Sequence, residues 1–401
     1  MSNHGEQANE ERSQLEPETQ GVAFPQSAIT GSVGALACTM AEGTEVPEEF
    51  YYAAGLTTLG AMCTGRLRVV ANVECEPRLF TVLLGESADV KKSTAQRRTV
   101  SFFKPLLDPT PMLTAKSVKV LHGVASAEGL GRMLNEHKHV LLCYDEMKAL
   151  IDKASIKSSA LLAMTASLFE GTTWSNPTKN PKQSIEVSDG HLSLLGCCTT
   201  ETYSRMWTSE AIAIGLPNGL FIVGADRKRK VAWPESPDQE EVDAVLEWVR
   251  EQLATLPKTY QITPKAKARW ADWYHSAPPS EHAKRLDAIG FRLMGLLALT
   301  NDKNEIDADT IDTLLAVLDY EIKIRKLTDP IDADDRIARL EQKILRVLGV
   351  KERLSRRDLQ RLTNARRDGL WAFDKAVSHL MQERYIRLDS GEAYLLAEAD
   401  E

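Results

Sequence analysis

Short apolar runs of strand length alternate with stretches of helical periodicity through the first half of the chain. A run that is apolar throughout, rather than at every second position, is typical of a strand buried on both faces of a sheet. Four runs are mainly apolar in this way, namely Phe80–Leu84, His139–Tyr144, Leu192–Cys198 and Gly219–Gly224. Two further stretches of strand length, Leu67–Val73 and Val118–Leu121, include charged residues. We therefore predict an α/β fold in which helices flank a parallel sheet.

The second half of the chain has helical patterns and ends in a predicted β-hairpin. Amphipathic helices are predicted over Ser236–Pro257, Thr263–Ser276, Ser280–Thr300 and Asp307–Leu327. An acidic linker, Asp329–Asp335, leads to three further helices. Alternating residues around an Asp-Ser-Gly turn then predict a hairpin over Tyr385–Leu396. Three helices and a hairpin are the elements of a winged helix.

These patterns predict five parts of the chain. Residues 1–21 are almost free of apolar side chains and are predicted to form a disordered tail. The other parts are an N-terminal helical segment over 22–75, an α/β core over 76–235, a helical lid over 236–328 and a winged-helix domain over 329–401. The length of 401 residues is ample for this arrangement.

Composition narrows the classes of protein that fit. The net charge of −8 argues against a uniformly basic nucleic-acid binder, so contacts with DNA must come from local patches. The six cysteines contain no Cys-x-x-Cys pair, which indicates reduced thiols in a cytoplasmic protein and argues against a zinc site. No apolar run reaches the roughly 18–20 residues of a membrane span, and the polar N-terminus does not resemble a signal peptide. We expect no membrane partner.

One strand–loop–helix segment has the residues of a phosphate-binding loop. The segment consists of Phe80–Leu84, the loop Gly85-Glu-Ser87-Ala-Asp-Val-Lys91, and a helix that begins Lys92-Ser93-Thr94. In such loops backbone N–H groups face the anion; Lys92 would bind the β- and γ-phosphates of ATP and Ser93 would hold Mg²⁺. Two features depart from the pattern, because Lys91 replaces a glycine and the loop is one residue too long. The alternative is an ordinary strand–turn–helix with surface lysines.

Two further strands end in residues suited to ATP hydrolysis. Asp145 and Glu146 follow the strand at His139–Tyr144, and Asp145 lies 53 residues after Lys92. Beside the phosphate loop, Asp145 can hold Mg²⁺ and Glu146 can polarise the attacking water. Thr199 or Thr200, after the next strand, can sense the γ-phosphate. The alternative explanation of the Asp-Glu pair is a helix cap.

Basic residues in four places are candidates for contact with nucleotide or DNA. They are Lys179 and Lys182 in a polar hairpin over 171–187, Arg227 and Arg229 facing a neighbouring subunit's nucleotide, Arg285 and Arg292 on the lid, and Arg356, Arg357, Arg361, Arg366 and Arg367 in the winged helix. Lys351–Arg367 carries seven Lys/Arg against two acids, an excess that suits phosphate contacts. Solvated turns, surface ion pairs and a protein-binding winged helix are the alternatives.

The order of these features along the chain resembles a phage- and plasmid-borne family. The features are the phosphate loop, the Ser126-Ala-Glu-Gly-Leu helix, Tyr-Asp145-Glu146, Leu168-Phe-Glu-Gly-Thr, Leu192-Ser-Leu-Leu-Gly, the lid and the winged helix. The family comprises primase-associated, helicase-like P-loop ATPases with an AAA+/RecA-like core, similar to superfamily 3 replicative helicases. The resemblance covers roughly residues 24–396.

The resemblance implies a ring-forming, hexameric ATPase that acts on single-stranded or forked DNA in the replication of a mobile element. It implies ATP and Mg²⁺ as cofactors, a primase or initiator as a partner, and DNA contact by the hairpin that carries Lys179. Larger members have a primase domain upstream, so priming is not expected here. Members often have a trans-acting arginine where this chain has Gly219, which leaves Arg205, Arg227 or Arg229 for that role.

Two other functions fit the same features. A nucleotide-gated binding protein, such as a helicase loader, an origin-binding initiator or a regulator, would use ATP for assembly and the winged helix to recognise a DNA site. An inactive P-loop scaffold would carry a winged helix that binds protein. ATP turnover that rises with single-stranded DNA favours the motor, whereas a footprint at one sequence with slow hydrolysis favours the binding protein.

Overall fold

A computed structural model describes residues 22–71, 73, 75–86, 90–107, 117–156, 159–177, 184–226, 229–276, 283–328, 336–389 and 393–397. Within these residues the chain divides into two compact units, a larger one from residue 23 to residue 328 and a smaller one from residue 336 to residue 397. The predicted tail over 1–21 and the predicted linker over 329–335 lie outside the described residues. Among the described helices, none combines the length and the apolar character needed to cross a lipid bilayer.

Helices and short strands alternate along the larger unit. Its helices are α1 (Gly31–Ala41), α2 (Glu48–Cys63), α3 (Lys92–Leu107), α4 (Ala127–His137), α5 (Lys148–Ala154), α6 (Leu161–Glu170), α7 (Thr200–Arg205), α8 (Ser209–Ile214), α9 (Gln239–Ala254), α10 (Pro264–Ser276), α11 (Leu286–Thr300) and α12 (Ala308–Thr328). Its strands are β1 (Leu67–Val69), β2 (Phe80–Leu84), β3 (Val118–His122), β4 (His139–Tyr144), β5 (Trp174–Asn176), β6 (Ile185–Val187), β7 (His191–Cys198), β8 (Leu220–Gly224) and β9 (Lys258–Tyr260).

A five-stranded sheet lies at the centre of this unit. Its strand order is β3-β4-β7-β2-β8, and every neighbouring pair is parallel. Each residue of β2, β4, β7 and β8 is buried, as expected for parallel strands that are covered on both faces. The predicted α/β fold with a parallel sheet flanked by helices is confirmed.

Helices pack on both faces of this sheet. Two consecutive residues of β2 show this, because each contacts a helix on a different face. The Phe80 ring packs edge to face on Phe169 of α6, with 5.2 Å between the ring centroids. The next residue, Thr81, points to the opposite face, where its hydroxyl lies 2.6 Å from the hydroxyl of Thr57 on α2. Because side chains alternate along a strand, β2 contacts α6 on one face of the sheet and α2 on the other.

Side chains of α12 satisfy the outer edge of β8, which has no strand beyond it in the sheet. The N–H of Ile222 donates to Oε1 of Glu321 at 2.9 Å, and the N–H of Gly224 donates to the hydroxyl of Tyr320 at 2.8 Å. Glu321 is itself paired with Arg325 at 3.1 Å, and both side chains are almost fully buried. An unpaired strand edge invites association with other chains, so α12 replaces a sixth strand by side-chain hydrogen bonds.

Several predicted boundaries were wrong for identifiable reasons. The proline at 105 predicts that the helix after Lys92 ends before it, but α3 continues through Pro105 to Leu107. Pro105 lies on the exposed side in the last turn, where water can satisfy the carbonyl that loses its partner. The sequence pattern also predicts a helix over Ser155–Glu170, whereas α6 begins at Leu161 and Ser155 directly follows the end of α5. Ser155 donates to the carbonyl of Ile151 at 2.7 Å, so its side chain binds a carbonyl of the last turn of α5.

Two other strand predictions have mixed outcomes. The run Leu67–Val73 forms a strand only over the three residues of β1, which pairs in parallel with β9. The polar hairpin appears as the antiparallel pair β5 and β6. Its connecting residues, 178–183, lie outside the described residues.

The smaller unit is built from helices and one antiparallel sheet. Its elements are α13 (Arg336–Lys351), β10 (Arg353–Ser355), α14 (Arg356–Leu362), α15 (Ala365–Asp368), α16 (Leu370–Gln382), β11 (Ile386–Asp389) and β12 (Ala393–Leu396). The strand order is β10-β12-β11, and a core that includes Ile344, Leu359, Phe373 and Leu380 joins the helices. The predicted helices and hairpin are present. Strand β10 was missed because three residues are too few to show an alternating pattern.

Candidate functional site

The carboxyl ends of β2, β7 and β4 lie side by side because β7 pairs with both other strands. Leu84, the last residue of β2, is level with Cys198 at the end of β7, and Tyr144 at the end of β4 is level with Gly196. Neighbouring strands are about 4.8 Å apart, so the ends of β2 and β4 are separated by about 10 Å. The loop that starts at Gly85 and the Asp145-Glu146 pair therefore lie on the same edge of the sheet.

Lys92 is folded back onto the loop that precedes its helix. Its Nζ donates to the carbonyl of Gly85 at 2.8 Å and to the carbonyl of Glu86 at 2.9 Å. Burial lowers the pKa of Lys92, and negative charges around it, which include Glu86 and Glu146, offset part of that effect. The structure thus brings Lys92 within electrostatic reach of Glu146, where an ammonium group that now binds carbonyls can exchange them for phosphate oxygens.

The backbone of the loop has the geometry that a glycine usually provides. Lys91 has φ of 50°, in the left-handed region, at a cost of about 1 kcal/mol for a residue with a Cβ. The sequence predicted that this side chain would disfavour such a conformation, and the structure adopts it nevertheless. At Gly85 a Cβ would lie 2.3 Å from Cγ2 of Val90 and 2.9 Å from the carbonyl oxygen of Ala225, so this position requires glycine.

The first turn of α3 follows directly from Lys91. The N–H of Thr94 donates to the carbonyl of Lys91 at 2.9 Å, so Lys92, Ser93 and Thr94 lie in the first turn. The Ser93 and Thr94 side chains are half-buried there. The positive end of the helix dipole faces the loop region. Ser87, also predicted to bind nucleotide, lies outside the described residues.

The two carboxylates after β4 differ in their contacts. Asp145 and Glu146 are both exposed. Glu146 accepts a hydrogen bond through Oε1 from the Cys198 thiol, with 3.2 Å between Sγ and Oε1. The turn itself is held to β7, because the N–H of Met147 donates to the carbonyl of Cys197 at 2.7 Å. Glu146 is therefore anchored to β7, the strand that separates it from the loop that starts at Gly85.

The donor set at this edge is compatible with Mg²⁺. Within the described ranges, no group of three or more His, Cys, Asp or Glu side chains could hold a metal ion by itself. Mg²⁺ usually binds through one or two protein oxygens, completed by phosphates and water, rather than in a cage of side chains. The exposed Asp145 carboxylate and the Ser93 hydroxyl are oxygen donors of this kind, so the residues present fit the ion.

The two threonines after β7 have different positions. The Thr199 hydroxyl accepts from the N–H of Thr202 at 3.0 Å and donates to the Thr202 hydroxyl at 2.8 Å, so it caps α7. The capping contact does not test the sensor role of Thr199, which stays a prediction. Thr200 is half-buried at the first position of α7, and its sensor role stays a prediction.

One residue behind the edge was missed by the sequence analysis. Gln96 lies four residues after Lys92, is 1% exposed, and donates through Nε2 to the carbonyls of Leu195 at 2.6 Å and Tyr144 at 3.3 Å. It thereby ties α3 to both β7 and β4. The only signal in the sequence was its spacing, since residues four apart share a helix face.

The two lid arginines lie at the other edge of the sheet, which corrects their assignment to the nucleotide. Arg292 is 3% exposed and donates through Nη1 to the carbonyl of Arg78 at 2.8 Å and through Nη2 to the carbonyl of Phe169. Its guanidinium also stacks 4.2 Å from the Phe169 ring centroid. Arg78 precedes β2, whereas Gly85 follows it, and seven residues of extended chain span about 20 Å. Arg285 pairs with Glu170 at 3.1 Å beside the same ring.

A buried network of charged side chains surrounds Arg78 at this amino edge. Arg78 pairs with Glu76 at 2.8 Å, and Glu76 also contacts Nδ1 of His191 at 2.9 Å. The other ring nitrogen of His191 lies 3.0 Å from Asp189, and its ring stacks on His139 with 4.5 Å between the centroids. The charges at this edge are thus matched with one another within the protein.

The remaining basic residues predicted to contact nucleotide or DNA either bind groups of the protein or lie outside the described residues. Arg229 donates to the backbone carbonyls of Thr44, at 2.6 Å, and Ala41, so two of its nitrogens hold the turn after α1. Arg229 is nevertheless exposed, and its contact with a neighbouring subunit's nucleotide stays a prediction. Arg205 pairs with Glu201 at 3.4 Å on α7. Arg227, Lys179 and Lys182 lie outside the described residues.

The basic residues of the smaller unit fall into two groups. Arg356 contacts Asp374 and the Tyr394 hydroxyl and lies 5.5 Å from the Phe373 ring centroid, so it joins elements of the fold, and its contact with DNA stays a prediction. Arg361 pairs with Asp358 at 3.4 Å on the surface of α14. Arg357 and Arg366 have exposed side chains. The side chain of Arg367 lies outside the described set.

No protein-family model matches the chain, and the comparison with curated proteins finds no match. The interpretation of the carboxyl edge therefore depends on its geometry and chemistry alone.

Proposed function

We propose that the larger unit is an ATPase of the P-loop, AAA+/RecA-like type. The observation that carries this proposal is the position of Lys92 and Glu146 on the same edge of a parallel sheet, on either side of β7. Ligands of open α/β sheets bind at the carboxyl ends of the strands. The left-handed backbone at Lys91 adds support, since it lets the loop turn into α3 as a phosphate-binding loop does.

The residues at this edge can divide the work of phosphoryl transfer to water. Lys92 would leave the Gly85 and Glu86 carbonyls and bind the β- and γ-phosphates, while the first turn of α3 faces their negative charge. Glu146 would accept a proton from the attacking water. Ser93 and Asp145 would hold Mg²⁺, which when bound neutralises charge on the phosphates.

We propose further that the smaller unit is a winged-helix domain and that the protein couples ATP turnover to movement on DNA. The helices α13, α14 and α16 and the hairpin of this unit support the first part, and the exposed Arg357 and Arg366 support contact with phosphates. The resemblance to replicative helicase-like ATPases supports a ring that acts on single-stranded or forked DNA. The alternative is a nucleotide-gated initiator, helicase loader or regulator with little unwinding activity.

The experiment that tests the ATPase is turnover with and without single-stranded DNA for wild type, Lys92→Ala and Lys104→Ala. Lys104 is an exposed lysine of the same helix, 12 residues and about 18 Å further along, and is the matched control. We expect Lys92→Ala to lose at least about 100-fold in turnover and Lys104→Ala to equal wild type. Wild type that fails to hydrolyse ATP contradicts the proposal.

The DNA part is tested by the salt dependence of binding to single-stranded and forked DNA. Arg357→Ala and Arg366→Ala should each weaken binding and reduce the slope of log affinity against log salt by about one, because each would lose one phosphate contact. Lys267→Ala, an exposed lysine of the larger unit, is the control and should leave the slope unchanged. A rate of ATP hydrolysis that DNA does not change, together with protection of a single DNA sequence in a footprint, favours the nucleotide-gated alternative.

A further inference from the structure

The side chain of Cys198 makes a contact that the proposed function does not use. Cys198 is the last residue of β7 and is fully buried. Its Sγ lies 3.2 Å from Oε1 of Glu146, well within hydrogen-bond distance for sulfur, and 3.9 Å from Sδ of Met206. A buried thiol is usually a small apolar side chain, but here it points at the exposed carboxylate that is proposed to activate water.

The thiol must be the donor in this contact. Burial raises the pKa of Cys198, and the neighbouring Glu146 carboxylate raises it further. At neutral pH the side chain is therefore S–H rather than thiolate, and the ionised carboxylate is the acceptor. Hydrogen bonds to charged acceptors are stronger than those between neutral groups, which makes even a weak donor useful.

The position of Cys198 in the sheet sets where it can hold Glu146. Strand β7 lies between the strand that leads to the phosphate-type loop and the strand that leads to Glu146. Lys92 lies within electrostatic reach of Glu146, which itself contacts Cys198, so the three side chains share one small region. A glutamate on an exposed turn has three rotatable side-chain bonds, and an anchor on one oxygen restricts them.

We propose that Cys198 is a positioning residue for Glu146. The thiol holds Oε1 toward the loop and leaves Oε2 free to take the proton of a water beside the terminal phosphate. This inference rests on the proposed ATPase function. No covalent or redox step is involved, and Cys198 acts only through the carboxylate that it orients.

A variant series separates this role from packing. Cys198→Val keeps a buried apolar side chain without the donor, Cys198→Ala removes the donor without added bulk, and Cys198→Ser keeps a donor. Cys63→Val is the matched control, because Cys63 is equally buried but lies at the end of α2. We expect Cys198→Val and Cys198→Ala to lower kcat about tenfold with an unchanged KM for ATP, and Cys198→Ser to stay within about threefold of wild type.

The decisive comparison measures the effect of Cys198→Val on kcat in a protein that already carries Glu146→Gln. If Cys198 acts only through Glu146, the double variant Cys198→Val/Glu146→Gln has the same kcat as Glu146→Gln alone. Normal kcat in Cys198→Val, a change in KM without kcat, or an equal loss in both backgrounds overturns the inference. Thermal unfolding of each variant identifies any that fails to fold, and Cys198→Ala then replaces Cys198→Val.

The same data distinguish this inference from the proposed function. Wild type that binds ATP without hydrolysing it overturns both. Wild type that hydrolyses ATP, is inactivated by Glu146→Gln and is unaffected by Cys198→Val or Cys198→Ala overturns the role of Cys198 alone.

Discussion

At the amino edge of the sheet Arg78 and Arg292 are buried and donate to backbone carbonyls, whereas at the carboxyl edge Asp145 and Glu146 are exposed beside the loop that ends at Lys92. The same residue types therefore serve different purposes at the two edges. Buried charges need partners within the protein, and the amino edge supplies them through Glu76 and main-chain oxygens. At the carboxyl edge the described hydrogen-bond partners of Lys92 are two backbone carbonyls, which a ligand can replace.

The difference has a physical origin in the direction of parallel strands. The last residues of such strands lead into loops and helix N-termini that offer N–H groups to anions. Amino ends follow helix C-termini, whose carbonyls attract cations. Arg78 donates to the carbonyl of Leu168 at 2.7 Å and Arg292 donates to that of Phe169, both near the end of α6, as this polarity requires. A charged residue in this fold thus has to be assigned to an edge before it is assigned a function.

The largest expected effect comes from the amino edge. Arg292→Met removes the donors to two buried carbonyls and the contact with the Phe169 ring, and we expect a loss of about 3 kcal/mol in the free energy of unfolding. Arg285→Met, seven residues earlier on the surface, should cost less than about 1 kcal/mol. Urea unfolding measures both. Equal losses would show that Arg292 is not the buried structural residue described above.

The next prediction concerns the carboxyl edge, where a substitution should affect ATP hydrolysis and not stability. Glu146→Gln should lower the kcat for ATP hydrolysis by about 100-fold or more, because an amide cannot accept the proton of water. Its free energy of unfolding should stay within about 0.5 kcal/mol of wild type, since the side chain is exposed. Asp152→Asn, an exposed acid on α5, is the control for charge loss. A stable Glu146→Gln protein with full activity would remove Glu146 from the mechanism.

A smaller effect concerns the acid stability of the amino edge. Burial alone would raise the pKa of Glu76, but the hydrogen bond with His191 and the charge of Arg78 outweigh it and hold the pKa below its usual range. Glu76 therefore stabilises the fold fully above about pH 5 and loses this effect as the pH falls through its folded-state pKa. Glu76→Gln should cost about 1.5 kcal/mol at pH 7 and progressively less below pH 5.

Thermal unfolding between pH 7 and pH 3 measures this difference. Glu136→Gln, which replaces an exposed glutamate, should show no such pH dependence. A difference between wild type and Glu76→Gln that stays constant down to pH 3 would contradict the assigned direction of the Glu76 pKa.

The smallest effect tests the strain in the loop at the carboxyl edge. Lys91→Gly removes a Cβ at φ of 50° but increases the entropy of the unfolded chain, so we expect a net gain of about 0.5 kcal/mol in stability. Lys104→Gly, in the helix, should instead lose up to about 1 kcal/mol. Denaturant unfolding compares the two, and a loss in Lys91→Gly would mean that the lysine side chain stabilises the loop.

Local patterns in the sequence determined much of this protein. Mainly apolar runs marked β2, β4, β7 and β8, a shorter stretch with one lysine marked β3, and a glycine with Lys-Ser-Thr marked the loop before α3. The Asp145-Glu146 pair was assigned to the same edge because parallel strands end together. These predictions succeeded where the deciding interactions are close in sequence or follow from strand direction.

Only the tertiary structure decided which distant groups meet. It placed Arg292 on the carbonyl of Arg78, 214 residues away, the Cys198 thiol on Glu146, 52 residues away, and the side chains of α12 along the edge of β8. An arginine that binds a carbonyl and an arginine that binds a phosphate have the same local sequence pattern. The periodicity of apolar residues indicates which positions are buried, but not which group a side chain binds. The packing of whole elements fixes the partner, and with it the choice between structure and function.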